Sequence, residues 1–96
     1  MKEKDNIYLS KIKYDCLKFI AKYIKDNKFS PTYKEIGMHQ KFSRARAGAI
    51  VSDLFEIGLM DRGESSHRNI RMTPTQLNKV DKLAFNREYK KKTNGS

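Results

Sequence analysis

Residues 30–49 of the 96-residue chain read Ser30-Pro31-Thr32-Tyr33-Lys34-Glu35-Ile36-Gly37-Met38-His39-Gln40-Lys41-Phe42-Ser43-Arg44-Ala45-Arg46-Ala47-Gly48-Ala49, and they hold two helix starts in close succession. Pro31 biases Ser30 away from helical geometry. Thr32 followed three residues later by Glu35 is a capping box, in which each side chain satisfies a backbone N–H left open at a helix start. A short helix is therefore predicted from about Tyr33 to Gln40, with Ile36 turned inward. Phe42 is an apolar plug before the second start, Ser43, whose hydroxyl caps a helix running to about Ile57. Ala47, Ile50, Val51, Leu54 and Phe55 supply its buried stripe, and Gly58 is placed to end it in the left-handed conformation.

On the amino-terminal side, Ile12, Cys16, Leu17, Phe19, Ile20, Tyr23 and Ile24 recur at spacings of three and four between Ser10 and Asn27. That period predicts a first helix with one apolar face. Phe29 is expected to pack back under the turn that follows. On the other side, Leu59 to Arg62 and Asn69 to Met72 flank the polar run Gly63-Glu64-Ser65-Ser66-His67-Arg68, the pattern of a hairpin with a polar tip. Thr73 and Pro74 then restart a helix, the proline sitting where its missing N–H is no loss. The expected fold is mainly α: a winged helix-turn-helix of three helices and a two-stranded β-hairpin wing, with an additional C-terminal helix. Residues 1–74 would form the binding domain, 75–92 the last helix and a possible dimerisation element, and 93–96 a disordered tail.

The charge pattern around the second start gives the functional clue. Seventeen residues from Ile36 to Ser52 contain no carboxylate, while Lys41, Arg44 and Arg46 crowd the start of helix three. Cations at a helix amino terminus oppose its dipole by a few tenths of a kcal/mol to about 1. Setting that end in the major groove of DNA removes the conflict, since phosphates accept both the open N–H groups and the guanidinium groups. Arginine also pairs with guanine O6 and N7, discriminating bases by about 1–3 kcal/mol. Arg44 and Arg46 are the leading contacts, with Ala45, Gly48 and Ala49 small enough to let the helix approach another surface. Ser43 caps the helix and is placed to touch a phosphate as well. Tyr33 and Lys34 at the start of helix two are placed to touch backbone, although Tyr33 fits equally as a core residue. In the wing, His67, Arg68 and Arg71 either reach the adjacent minor groove and its phosphates or decorate a solvated hairpin.

Composition agrees with a polyanionic partner. Twenty-one basic residues against eleven acidic ones give a net charge of +10, and the pI is near 9.8. No apolar run approaches the roughly twenty residues a membrane span needs. The start, Lys2-Glu3-Lys4-Asp5-Asn6, is unlike a signal peptide, so a cytoplasmic protein is expected. One cysteine, Cys16, and two histidines, His39 and His67, offer neither an internal disulfide nor a zinc cluster. Cys16 is expected to be a core thiol. Neither a catalytic constellation nor a Gly-rich phosphate loop is present, so no enzyme, metal or cofactor is expected.

Ser10 to Met72 resembles the amino-terminal winged-helix domain of the LexA repressor. The likeness is clearest in Ser30-Pro31-Thr32-Tyr33-Lys34-Glu35-Ile36, similar to that family's Pro-Pro-Thr-Arg-x-Glu-Ile entry to helix two. Phe42-Ser43 with Ala47, Leu54, Gly58 and Leu59 continues it, and Arg68-Asn69-Ile70-Arg71-Met72 is similar to its Arg-Gly-Ile-Arg-Leu return strand. The resemblance implies that helix three reads DNA and that Ser43, Ala45, Arg46, Gly48 and Ala49 take the base-facing positions. Arg, Gly and Ala stand where the family carries Asn and Glu, and the turn before Ser43 is one residue shorter, which implies a different operator. The family's self-cleaving peptidase domain is not expected here. The Met72-Thr73-Pro74 exit looks instead like small MarR-type and phage or archaeal winged-helix proteins, in which such a helix often pairs two subunits.

The leading expectation is thus a sequence-specific binder of double-stranded DNA that regulates transcription, most simply a repressor; the last helix either pairs two copies into a homodimer or simply covers the core. The competing one is a winged-helix protein-binding module, such as a phage or mobile-element factor acting on a host protein like polymerase. Non-specific or RNA binding through Lys90, Lys91 and Lys92 ranks below both, for want of aromatic stacking platforms.

Overall fold

The computed structural model describes residues 9–80 and 82, in the order α1 (Lys11–Asn27), α2 (Tyr33–Gln40), α3 (Arg44–Ile57), β1 (Asp61–Arg62) and β2 (Ile70–Arg71), followed by a helical segment at residues 74–80. The C-terminal part of the expected last helix, the Lys90–Lys92 run and the 93–96 tail lie outside the described residues.

The local start and stop signals act as the sequence implies. Ser10 Oγ accepts the Lys13 amide at 3.2 Å, and Ser43 Oγ accepts that of Arg46 at 3.0 Å. Thr32 and Glu35 form both halves of the capping box, at 2.9 and 3.1 Å. Thr73 and Gln76 repeat that reciprocal pair at the last helical segment. Gly58 ends α3 at φ 91. The ends of α1 and α2 fall instead on Lys28 and Lys41, at φ 70 and 65. Residues with a β-carbon adopt this left-handed conformation at a cost of about 1–2 kcal/mol. Lys28→Gly is therefore expected to stabilise the fold by about 0.5–1 kcal/mol once glycine's extra chain entropy is subtracted, read as a higher melting midpoint.

α2 packs on α3, and α1 lies against both. Leu17 and Ile20 of α1, Ile36 of α2, Val51 and Leu54 of α3, and Leu59 and Met60 before the hairpin are all less than 2% exposed. Cys16 is fully buried among them, and its burial pushes the thiol up to about 12, so it stays protonated and unreactive at neutral pH. Cys16, Leu17 and Ile20 of the expected stripe are buried, and the buried face extends beyond it on one side. Tyr14 and Ala21 are buried, while Ile12 is 41% exposed, because Tyr14, Leu17 and Ala21 share one face at spacings of three and four.

The hairpin is shorter than predicted. Asp61 pairs with Arg71 and Arg62 with Ile70, antiparallel, and the Gly63 amide donates to the Asn69 carbonyl at 2.6 Å. Its attachment to the helices comes from the α1–α2 corner. Ser30 is buried, and its Oγ accepts the Ile70 amide at 3.3 Å. Val80 is 4% exposed and Leu77 packs beside the core, so the last helical segment closes it. Among the described residues, no helix is long and apolar enough to cross a membrane.

Candidate nucleic-acid interface

The first turn of α3 presents an exposed outer face. Arg44, Ala45, Arg46 and Ala49 are exposed, while Ala47, Ile50, Val51 and Leu54 bury the opposite side. No acidic residue lies in that turn. Asp53, farther along, is held by Lys13 at 3.2 Å. Successive helical residues turn by about 100°, so Arg44 and Arg46 leave the axis about 160° apart, with Ala45 and Ala49 between them on the outward face. The Arg46 guanidinium carbon sits 5.7 Å from the centre of the Phe42 ring, which steers that arm along the edge of the helix. Two cationic arms thus flank a flat strip of methyl groups, a surface that a nucleic-acid groove can approach.

Gly48 is not part of that surface. It is half-buried, and a β-carbon there would meet the Tyr33 ring at 3.4 Å. Gly48 therefore lies against Tyr33, which is itself packed against the core, at the α2–α3 contact. Lys34 is exposed on the first turn of α2. Lys41 is exposed too, and its backbone closes α2.

Within the wing, Arg68 turns inward. Its guanidinium donates to Glu35 Oε1 and Oε2 at 2.9 and 3.1 Å, to the Ser30 carbonyl at 2.8 Å and to the Tyr23 hydroxyl at 3.3 Å. It also lies 4.8 Å over the Phe29 ring. A side chain so engaged cannot also reach into a groove. Arg68 instead anchors the wing to the α1–α2 corner and fixes the tip relative to α3. Phe29 is consequently half-exposed, forming a platform for Arg68 and an edge contact with Tyr23 rather than a plug under the turn. His67 and Arg71 remain exposed, the stem of Arg71 lying across Gly63. Arg62, which the sequence did not single out, stacks on Phe55 at 4.6 Å.

Glu35 therefore serves two purposes, capping α2 and holding the wing. Arg68 and the Thr32 amide hold its carboxyl down at about 2, against an ordinary 4.5. A depressed carboxylate stabilises the fold fully above its unfolded value and loses that contribution as pH falls from about 4.5 toward 2. Because the side chain is partly exposed, the contribution is discounted to about 1–2 kcal/mol. Glu35→Gln is expected to melt lower than the parent at pH 7, with the gap narrowing as pH falls from about 4.5 toward 2. The sequence held one hint of this pairing: Glu35 is the sole carboxylate between Asn27 and Ser52.

Among the described residues, no group of three or more His, Cys, Asp or Glu side chains is placed to hold a metal ion. No protein-family model and no curated protein matches this sequence. Solved structures match it by fold. MepR, a transcription regulator of the Staphylococcus aureus multidrug efflux pump MepA, superposes with a TM-score of 0.64 at 14% identity, over 91% of this chain and 64% of that one. A structure of the S. aureus MepR–DNA complex gives 0.65 at 13% identity, over 98% of this chain and 74% of the other. The chain thus spans about two thirds of the length of the proteins it matches. At such identity the likeness concerns architecture: three helices, a two-stranded wing and a following helix in the arrangement of a winged helix-turn-helix.

Proposed function

We propose that this chain is a sequence-specific double-stranded DNA-binding transcription regulator, a repressor, that reads the major groove with the first turns of α3. The observation that carries the reading is the uncovered start of α3, where Arg44 and Arg46 flank Ala45 and Ala49 with no acid in the turn. A net charge of +10 supports it. So does the fold shared with MepR, a protein also solved bound to DNA. Arg71 and His67 at the wing are the minor-groove or phosphate contacts in this reading, and Arg68 holds the wing in place for them. The LexA-like entry to α2 belongs to the same proposal, its Thr32 and Glu35 setting the geometry of the turn. Two copies acting on two half-sites would supply the specificity that one reading helix lacks.

Selection of bound sequences from a random duplex library, followed by anisotropy titrations of the full chain, tests the reading. The selected duplex should bind at least about 1,000-fold more tightly than a random one, and log affinity should fall linearly with log salt. Equal binding to both would overturn it. A second reading, a protein-docking module acting on a host protein, is favoured by one observation: Met38, on α2, is 70% exposed. That reading requires the chain to ignore duplex DNA at physiological salt.

A further inference from the structure

A concavity of about 250 Å³ lies where three elements meet. Thr32, Tyr33 and Lys34 contribute the start of α2, Arg44 the start of α3, and Ser66 and His67 the tip of the wing. Two helix amino termini therefore border one hollow, each bringing partial positive charge and N–H groups without intrahelical partners. Among the described residues, no carboxylate lines it. The nearest in sequence, Glu35, has its two oxygens engaged by Arg68 and the Thr32 amide. Lys34 and Arg44 form no ion pair among the described residues, and the side chains of Lys34, Arg44 and His67 are all exposed. Three elements thus bring donors and positive charge to the border of one hollow.

We propose that this hollow is a phosphoryl-binding site in which Lys34, Arg44 and His67 close on a single phosphate, with the Ser66 hydroxyl as a further donor. The phosphate is a phosphodiester of duplex DNA or belongs to a free phosphorylated ligand that competes with DNA for the same donors. The first source rests on the DNA-binding reading; the second does not. Either way the two arginines of α3 divide their work. Arg44 grips a phosphate, and Arg46 on the other flank is left to read bases. The Arg68–Glu35 anchor gains a purpose here, because it holds the wing tip at the rim of the hollow.

The test uses the full isotope-labelled chain, titrated with inorganic phosphate against chloride at equal ionic strength, and separately with duplex. Phosphate should move the amide signals of Lys34, Arg44, Ser66 and His67 well beyond the chloride control. If duplex moves the same signals and phosphate weakens duplex binding, the site seats the DNA backbone. Lys34→Gln and Arg44→Gln should then each weaken selected and random duplexes by the same several-fold factor. The double variant should lose less than the product of the two, since both side chains serve one phosphate. If phosphate moves these signals while duplex moves only Ala45, Arg46 and Ala49, the source is a free phosphoryl ligand. The site is ruled out if neither titrant moves the four signals, and losses on duplex that simply multiply would rule out the DNA backbone as its occupant. Duplex leaving the whole of α3 unmoved would remove the DNA reading instead, and the phosphate titration would then judge the hollow alone.

Discussion

Gly37→Ala is expected to cost the fold about 2 kcal/mol, a fall in melting midpoint of roughly 10 °C for a domain of this size. A β-carbon at Gly37 would lie 2.6 Å from the Phe42 carbonyl oxygen, with Ser43 backbone atoms at 3.3 Å. Those atoms belong to the turn itself, which the Phe42 amide ties back to the Gly37 carbonyl at 2.9 Å. They cannot swing aside as a side chain would. Alanine's better helix propensity, about 1 kcal/mol, offsets only part of the crowding. Gly48 supplies the control. A β-carbon there meets only the Tyr33 ring at ordinary contact distance, so Gly48→Ala is expected to raise stability by about 0.5–1 kcal/mol. Opposite signs at two helical glycines, read by thermal melting, would establish that the turn needs a glycine at the first position while the second leaves room for a methyl beside Tyr33.

Arg46→Ala carries the other large effect. Its loss should lower the preference for selected over random duplex by about 10- to 100-fold, the value of one bidentate arginine–guanine contact, while binding to random duplex falls only slightly. Arg44→Ala should do the reverse, weakening both duplexes alike, because a phosphate contact carries no sequence information. Neither arginine packs in the core, so both variants are expected to melt like the parent, and affinity changes can be read without correction for folding. Equal losses on both duplexes for Arg46→Ala would remove it from the reading surface.

The helix boundaries were legible because the residues that set them lie within four positions of one another. Thr32 with Glu35, Ser43 ahead of Arg46, Gly58 after Ile57 and Thr73 with Pro74 are local devices, and a local pattern survives in the sequence. What stayed hidden depends on contacts between distant segments. Arg68 and Glu35 are 33 residues apart, and nothing in the wing sequence distinguishes an arginine that turns inward from one that faces solvent. Gly48 looked like a concession to an outside surface because its actual neighbour, Tyr33, comes from another helix. The edge of the buried face of α1 was missed for a related reason. Ile12 and Tyr14 both suit an apolar stripe, and only packing against distant parts of the chain decides that Tyr14 is covered. On the functional side, the acid-free run and its arginines were visible at once, whereas the hollow shared by Lys34, Arg44 and His67 exists only after the wing is docked.

The central claim is that the uncovered start of α3 is the surface that meets DNA. Amide mapping of the labelled protein during titration with a selected duplex tests it most directly. The account predicts the largest shifts at residues 44–49, smaller ones at the wing tip, and little change along the outer face of α1 at Lys18, Lys22 and Lys25. Shifts concentrated on those α1 lysines, with residues 44–49 unmoved, would contradict it.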